Sequence, residues 1–473
     1  MKKIYTIILL LCFTVTANAV VRNVPAQYSL IQSAINSSVN GDTILVEPGT
    51  YFENINFLGK KIVVTSRFYM SGNLSYIQNT IINGSTPLNP DSASCVRFYM
   101  GEDSTTVLQG FTITGGTGTK WTDEHGAGVY REGGGVLIAF CSPVIKNNII
   151  KNNEAMNSSG INGAGGGGLR IGDGNPKIMN NIIMYNKGKY GAGVVLNYTG
   201  VVLTNNLICY NSQSSTYLGG AGIWANNTPQ SGKPKIIENN TIVHNSSTLG
   251  TGGILSYYGA DLTLRNNIIW GNTTPFNGAQ IYISGGGAVT AEYSCIQGGY
   301  TGTGNISVYP QFADTNFILA NGSSCIDGGD SSSVYYDPAD SVNTVLARFP
   351  SKGGRRNDIG AYGGPGCVLL SGISVIGIKN INMGKPEGFL LYQNYPNPFN
   401  PSTSIRYKVE STKHIRLVVF DILGKEIANL VNEKQGPGTY EINFSSKNYP
   451  SGIYVYKLTA EGYSDEKKMI LLK

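Results

Sequence analysis

The sequence predicts an all-β protein in two parts: a solenoid of stacked parallel coils, then a small immunoglobulin-like antiparallel β-sandwich. The first observation behind this is a unit that recurs five times. It runs Asn147-Asn148-Ile149-Ile150-Lys151-Asn152-Asn153, and returns at Asn180–Asn186, Asn205–Asn211, Asn239–Asn245 and Asn266–Asn272. Successive Asn-Asn pairs lie 33, 25, 34 and 27 residues apart, a period that means a repeat architecture. The second is composition: 62 Gly, 29 Tyr and only 14% charged residues suit a turn-rich β protein. The third is the change of text after Gly388, where short alternating strands are separated by Gly and Pro turns.

Each coil is predicted to hold three short strands. The first follows a Gly-rich run, as at Val136, Leu169, Val194, Ile223, Ile254 and Ile281. The second ends at Ile145, Ile178, Leu203, Ile237 or Leu264, often after a Pro. The Asn-Asn turn leads to the third, whose fourth position is Ile150, Ile183, Ile208, Ile242 and Ile269. Strand side chains alternate faces, so these columns point inward. Asn suits the bends because it tolerates the left-handed conformation. Its amide carries donors and acceptors, so stacked Asn side chains can bond from coil to coil. The regular array spans about residues 128–300, and Tyr293-Ser294 marks its end.

The flanks follow from this. Residues 1–19 read as a secretory signal, with Lys2 and Lys3, an apolar Ile4–Phe13 core and an Ala17-Asn18-Ala19 cleavage box. Ser29–Asn40 carries a helical apolar stripe with Ser29 as N-cap, and is placed as a plug on the open end of the stack. Phe312, Phe317, Ile318 and Leu319 read as a covering flap at the other end. Residues 20–366 are assigned to the solenoid, 367–388 to a linker and 389–473 to the sandwich. Outside the signal and the sandwich the chain holds 22 basic and 21 acidic residues, so no basic stripe for nucleic acid is present. No apolar run is long enough for a transmembrane anchor in the mature chain. Six cysteines remain after the signal, none in a CxxC pair, and Cys209 and Cys295 fall at apolar repeat positions.

The Asn turns, inward Ile columns and capping helix resemble the right-handed parallel β-helix proteins of the pectate-lyase-like superfamily. That resemblance implies the hand of the coil. It also implies that the outward face of the first sheet is the place for a carbohydrate cleft, although the fold hosts lyases, hydrolases, adhesins and scaffolds alike. The C-terminal stretch resembles the type A sorting domain of the type IX secretion system. The matching pieces are Asn394–Thr403, Asp421-Ile422-Leu423-Gly424-Lys425, Ser451-Gly452-Ile453-Tyr454 and the final Lys468–Lys473. This implies type IX secretion machinery as a partner, with export through the periplasm to the outer surface or the medium of a Gram-negative cell.

Candidate functional residues lie on the Gly-led strands. Arg97, Leu137, Arg170, Val195, Trp224, Leu255 and Tyr282 form an outward column, expected to be a groove floor. With their neighbours they nominate Arg170, Tyr198, Trp224, Asn226, Tyr257 and Tyr282 for binding extracellular polysaccharide, since aromatic faces and amides suit sugar rings and hydroxyls. The same aromatics would also serve as cross-strand ladders that stiffen the sheet. A long loop over residues 119–132 brings Asp123, Glu124, Arg131 and, with Arg170, the elements of a lyase or glycoside hydrolase site. No paired Asp-Asp after Gly is present, so glycan binding without catalysis leads, with polysaccharide cleavage and a purely structural adhesin as alternatives. Asp327, Asp330, Asp337 and Asp340 nominate a calcium site, against a solvated closing loop with Asp–Arg pairs.

Overall fold

The computed structural model describes residues 19–123, 125–155, 161–214, 217–227, 235–275, 278, 280–314, 316–370, 379–382, 388–394, 397–445 and 449–472. Residues 1–18 of the signal-peptide segment and Glu124 lie outside them. Two units divide the chain, Met1–Ile373 and Ser374–Lys473.

Inward apolar columns force the first unit to stack. Among the described residues its coils build three long parallel sheets of eight, ten and nine strands, in which sequence order is spatial order. The predicted registers hold. Val136, Leu169, Val194, Ile223, Ile254 and Ile281 pair in succession. So do Ile150, Ile183, Ile208, Ile242 and Ile269. Nearly all of these are fully buried in one continuous core. Burial of each such side chain contributes about 1.5–3 kcal/mol before chain entropy is subtracted.

The Asn repeat divides into three roles. The first Asn of each pair (Asn147, Asn180, Asn205, Asn239, Asn266) is left-handed, with φ between 51° and 57°. The second Asn turns inward. Asn148 Nδ2 donates to Asn181 Oδ1 (3.2 Å), Asn181 to Asn206 (3.0 Å), Asn206 to Asn240 (3.0 Å) and Asn240 to Asn267 (3.1 Å). The series ends where the Asn267 N–H donates to Ser294 Oγ. The closing Asn makes a parallel series, Asn153–Asn186–Asn211–Asn245–Asn272, which ends on Gln280 Oε1. Tyr185, Tyr210 and His244 stack beside it at 5.3 and 5.4 Å, so His244 is a rung.

The helix is shorter than predicted, Ile31–Ser37, and Ser29 does not cap it. The Glu53 carboxylate, from the next coil, accepts the N–H groups of Ile31 and Gln32 at 2.8 Å each. A capping carboxylate supplied from elsewhere in the fold leaves no local sequence signal.

The segment after the array is a strap along the stack. Asn180 Nδ2 donates to Gly366 O, and Asn205 Nδ2 to Ala361 O and Gly363 O. Asn239 Nδ2 donates to Asp358 O and Asn357 Oδ1, and Asn266 Oδ1 accepts the Asp330 N–H. Phe317, Ile318 and Leu319 are buried, with Phe317 against His244 and Tyr210, as expected of a flap. The six described cysteines are buried free thiols.

The four aspartates nominated for calcium are engaged separately. Asp330 pairs with Arg265, and Asp340 is half-buried and accepts the N–H groups of Val342 and Asn343. Asp327 accepts the Gly354 N–H, and Asp337 those of Gly364 and Asp358. Among the described residues no group of three His, Cys, Asp or Glu is placed to hold a metal ion.

In the second unit two four-stranded antiparallel sheets are formed. They enclose Tyr407, Leu417, Ile442, Tyr456 and Met469. Glu426–Gln435, not read as a strand from the sequence, pairs along Lys413–Phe420 with two bulges. Lys379–Asn382, from the stretch expected as a linker, joins the other sheet.

Two expectations follow. Asn206→Ala removes an amide whose Nδ2 also donates to Ile178 O and Thr204 O. Unmaking these buried bonds should cost at least about 2 kcal/mol in denaturant unfolding, where an exposed Asn→Ala costs little. In the strap, burial pushes the Asp337 carboxyl up to about 8, with the Asp358 charge adding to it. Burial pushes Asp358 up to about 7, against the N–H groups of Asp327 and Lys352, which lower it. A raised carboxyl binds its proton more tightly folded than unfolded. Its stabilisation is therefore full below the ordinary carboxylate range near about pH 4 and is lost as pH rises through about 7–8. Melting should fall between about pH 5 and about pH 8.5, and Asp337→Asn with Asp358→Asn should flatten that fall.

Candidate functional site

The Gly-rich run ahead of each first-sheet strand does more than lead into it. It folds back over the strand's outer face. A Cβ at Gly133, Gly166, Gly191 or Gly220 would come within 3.0 Å of the side chain of Leu137, Arg170, Val195 or Leu255. Only glycine permits so close an approach. At these four positions the outward column is covered, and Leu137, Arg170, Val195 and Leu255 are fully buried, whereas Arg97 and Trp224 are half-buried and Tyr282 is exposed. This corrects the expectation of an open groove floor. Alternation placed these side chains on the outer face, but the glycine cover removes them from solvent.

The loop expected over 119–132 is a β-hairpin. Gly118–Thr122 pairs antiparallel with Val129–Glu132, and Gly163–Gly165 adds a parallel strand from the next coil. Its base is held by buried charge. Arg170 Nε lies 2.8 Å from Glu132 Oε2, and Tyr190 Oη donates to Glu132 Oε1 at 2.5 Å. The Arg170 guanidinium also sits 5.7 Å from the centre of the Trp121 ring. Arg131 donates to Pro90 O, Gly118 O and Asp91 Oδ1. Both arginines, nominated for catalysis and Arg170 also for substrate binding, are thus engaged in fastening the hairpin.

The hairpin tip is pinned from the other side. Asp123 Oδ1 accepts the N–H groups of His125 and Ala127, and Asn197 Nδ2 donates to Asp123 Oδ2 at 3.3 Å. The His125 ring stacks on Tyr198 with centroids 3.6 Å apart and bonds Asp173. Asn226 Nδ2 donates in turn to Asn197 Oδ1 at 2.8 Å.

Between hairpin and sheet lies a cavity of about 320 Å³, within the range of small-molecule sites. Asp123, Tyr130, Glu132, Tyr190, Asn197 and Tyr217 line one part, with Trp224, Asn226, Tyr257 and Tyr258 among the rest. The aromatics run continuously. Tyr130 meets Tyr190 at 6.1 Å, Tyr190 meets Trp224 at 5.0 Å, Trp224 meets Tyr257 at 5.8 Å and Tyr257 meets Tyr258 at 6.0 Å. Tyr258 is 62% exposed at the mouth, and Trp224 Nε1 has no hydrogen-bond partner among the described residues.

Of the nominated residues, the structure brings Asp123, Trp224, Asn226 and Tyr257 to one cavity. Tyr198 packs under His125, and Tyr282 is exposed outside the lining. Tyr130, Tyr190 and Tyr217 escaped the sequence reading. Their signal is an isolated Tyr near or within a Gly-rich run, such as Lys189-Tyr190-Gly191.

Comparison with known families agrees with both units. Residues 98–296 match the right handed beta helix region, and residues 393–472 match the secretion system C-terminal sorting domain. The chain is a right-handed β-helix protein with a type IX sorting domain. No curated protein matches it. The sorting domain marks the β-helix for export to the cell surface or medium. No helix among the described residues is long and apolar enough to cross a membrane. Within the domain, two motif stretches have visible work. The Asn394 N–H donates to Tyr456 Oη and its Nδ2 to Thr403 Oγ1. Asp421 Oδ1 accepts the N–H groups of Leu423 and Lys425, closing the turn.

The hairpin's anchor makes a separable prediction. Glu132→Ala leaves Arg170 charged and buried without its carboxylate, and should cost about 3–5 kcal/mol. Replacing Arg170 and Glu132 together by Leu should cost less than the two single changes summed, read by thermal unfolding.

Proposed function

We propose that this exported β-helix binds extracellular polysaccharide in the cleft beneath the 118–132 hairpin, with Trp224, Tyr257 and Tyr258 as stacking faces and Asn197 and Asn226 as hydrogen-bonding amides. The observation that carries the reading is the unbroken aromatic run from Tyr130 to Tyr258 beside those amides. Aromatic rings offer apolar faces to the C–H sides of sugars. Amides offer both donors and acceptors to hydroxyls. The alternative of a ladder that merely stiffens the sheet accounts less well for the cavity, because stiffening needs contact between rungs and no open space.

Polysaccharide cleavage keeps one observation in its favour: Asp123 and Glu132 both line the cleft. Glycoside hydrolysis needs two carboxylates free to act on the scissile bond. Glu132 is bound to Arg170 and Tyr190, which supports binding over catalysis.

The purified mature chain on a glycan array should retain a glycan, and Trp224→Ala or Tyr257→Ala should weaken it by about ten-fold or more, the loss of one buried aromatic contact. Retention unchanged in both variants would remove the cleft from consideration. Oligosaccharides released by the wild type and absent with Asp123→Ala would instead establish cleavage.

A further inference from the structure

Among the described residues the cleft lining carries charge of one sign only: two carboxylates, Asp123 and Glu132, and no Lys, Arg or His. Arg170, Arg131 and His125 have partners of their own, and Lys235 Nζ donates to Asn227 O next to the lining residue Asn226. Arg170 is buried against Glu132, and Arg131 bonds Asp91 and two backbone carbonyls. His125 is stacked on Tyr198 and bonded to Asp173. Arg170 offsets Glu132, which leaves Asp123 as the carboxylate of the lining with no basic partner among the described residues.

Resting on the glycan reading above, we infer that the cleft selects glycans without carboxylate or sulfate groups, and that Asp123 is the residue that excludes acidic sugars. A uronate entering the cleft loses water from its carboxylate and finds no cation in return. It also meets Asp123 in a concave wall of low dielectric, where like charges repel more than in water. A neutral ring loses nothing of this kind. Its hydroxyls meet Asn197, Asn226 and the Asp123 carboxylate, and its faces meet Trp224 and Tyr257. Abstraction chemistry on uronates needs a cation to neutralise the substrate carboxylate, and the described residues of this lining include none.

The test compares one neutral oligosaccharide retained on the array with its counterpart oxidised to the C6 carboxylate, titrated calorimetrically against the full mature chain at low salt. The neutral form should bind at least about ten-fold tighter, and the gap should narrow as salt screens the repulsion. Asp123→Asn keeps the side-chain oxygen that accepts from His125 and Ala127 and gives up only the 3.3 Å bond from Asn197 Nδ2, so two of the three bonds at the hairpin tip remain, and it should shrink the gap by several-fold. Asn226→Asp, which adds a carboxylate to the lining, should widen it. Equal or tighter binding of the acidic form, or a gap that Asp123→Asn leaves unchanged, would overturn the inference. Binding of neither form would overturn the glycan reading itself and this inference with it.

Discussion

Everything in the first unit depends on satisfying amides at the bends. A parallel coil must turn three times, and each inward bend carries backbone N–H and C=O groups out of reach of water. An Asn side chain meets them with its own donors and acceptor, and passes the same arrangement to the coil above. Asn206 shows the economy of this. Its Nδ2 reaches Ile178 O, Thr204 O and Asn240 Oδ1, while its Oδ1 accepts from Asn181. Such a residue cannot be exchanged for an apolar one without leaving several buried polar groups unmet.

Register follows from the same bonds. Each second Asn sits over the next, so the strands between them are held in step, and Ile stacks on Ile without a slip. That fixed register is what lines up Tyr190, Trp224 and Tyr257 from successive coils into one wall. The cleft is thus a product of stacking, while its roof is a product of one insertion, the hairpin, locked at its base by Glu132 and Arg170 and at its tip by Asp123.

Strand positions and inward columns were legible because they obey period two and repeat. Asn148, Ile150 and their equivalents could be aligned by eye, and their pairing is as expected. The chemistry of the outer face was only half legible. Trp224, Asn226 and Tyr257 were found from alternation. Burial of Arg170 was not, because it depends on a glycine run packing back over the strand, a tertiary event with no local signature. Likewise Glu53 caps a helix 22 residues away, and Glu426–Gln435 is a strand through its pairing with Lys413–Phe420. In each case a partner distant in sequence decides what the residue does.

The strap has a consequence for quality of assembly. Its contacts with Asn180, Asn205, Asn239 and Asn266 come from four different coils. A stack with one coil missing or slipped would present those amides at the wrong spacing, and the strap could engage only part of them. The segment therefore works as a ruler laid along the solenoid. It closes fully over a complete and correctly ordered array, and a frayed or miscounted one would leave its Phe317 and its buried aspartates exposed to solvent.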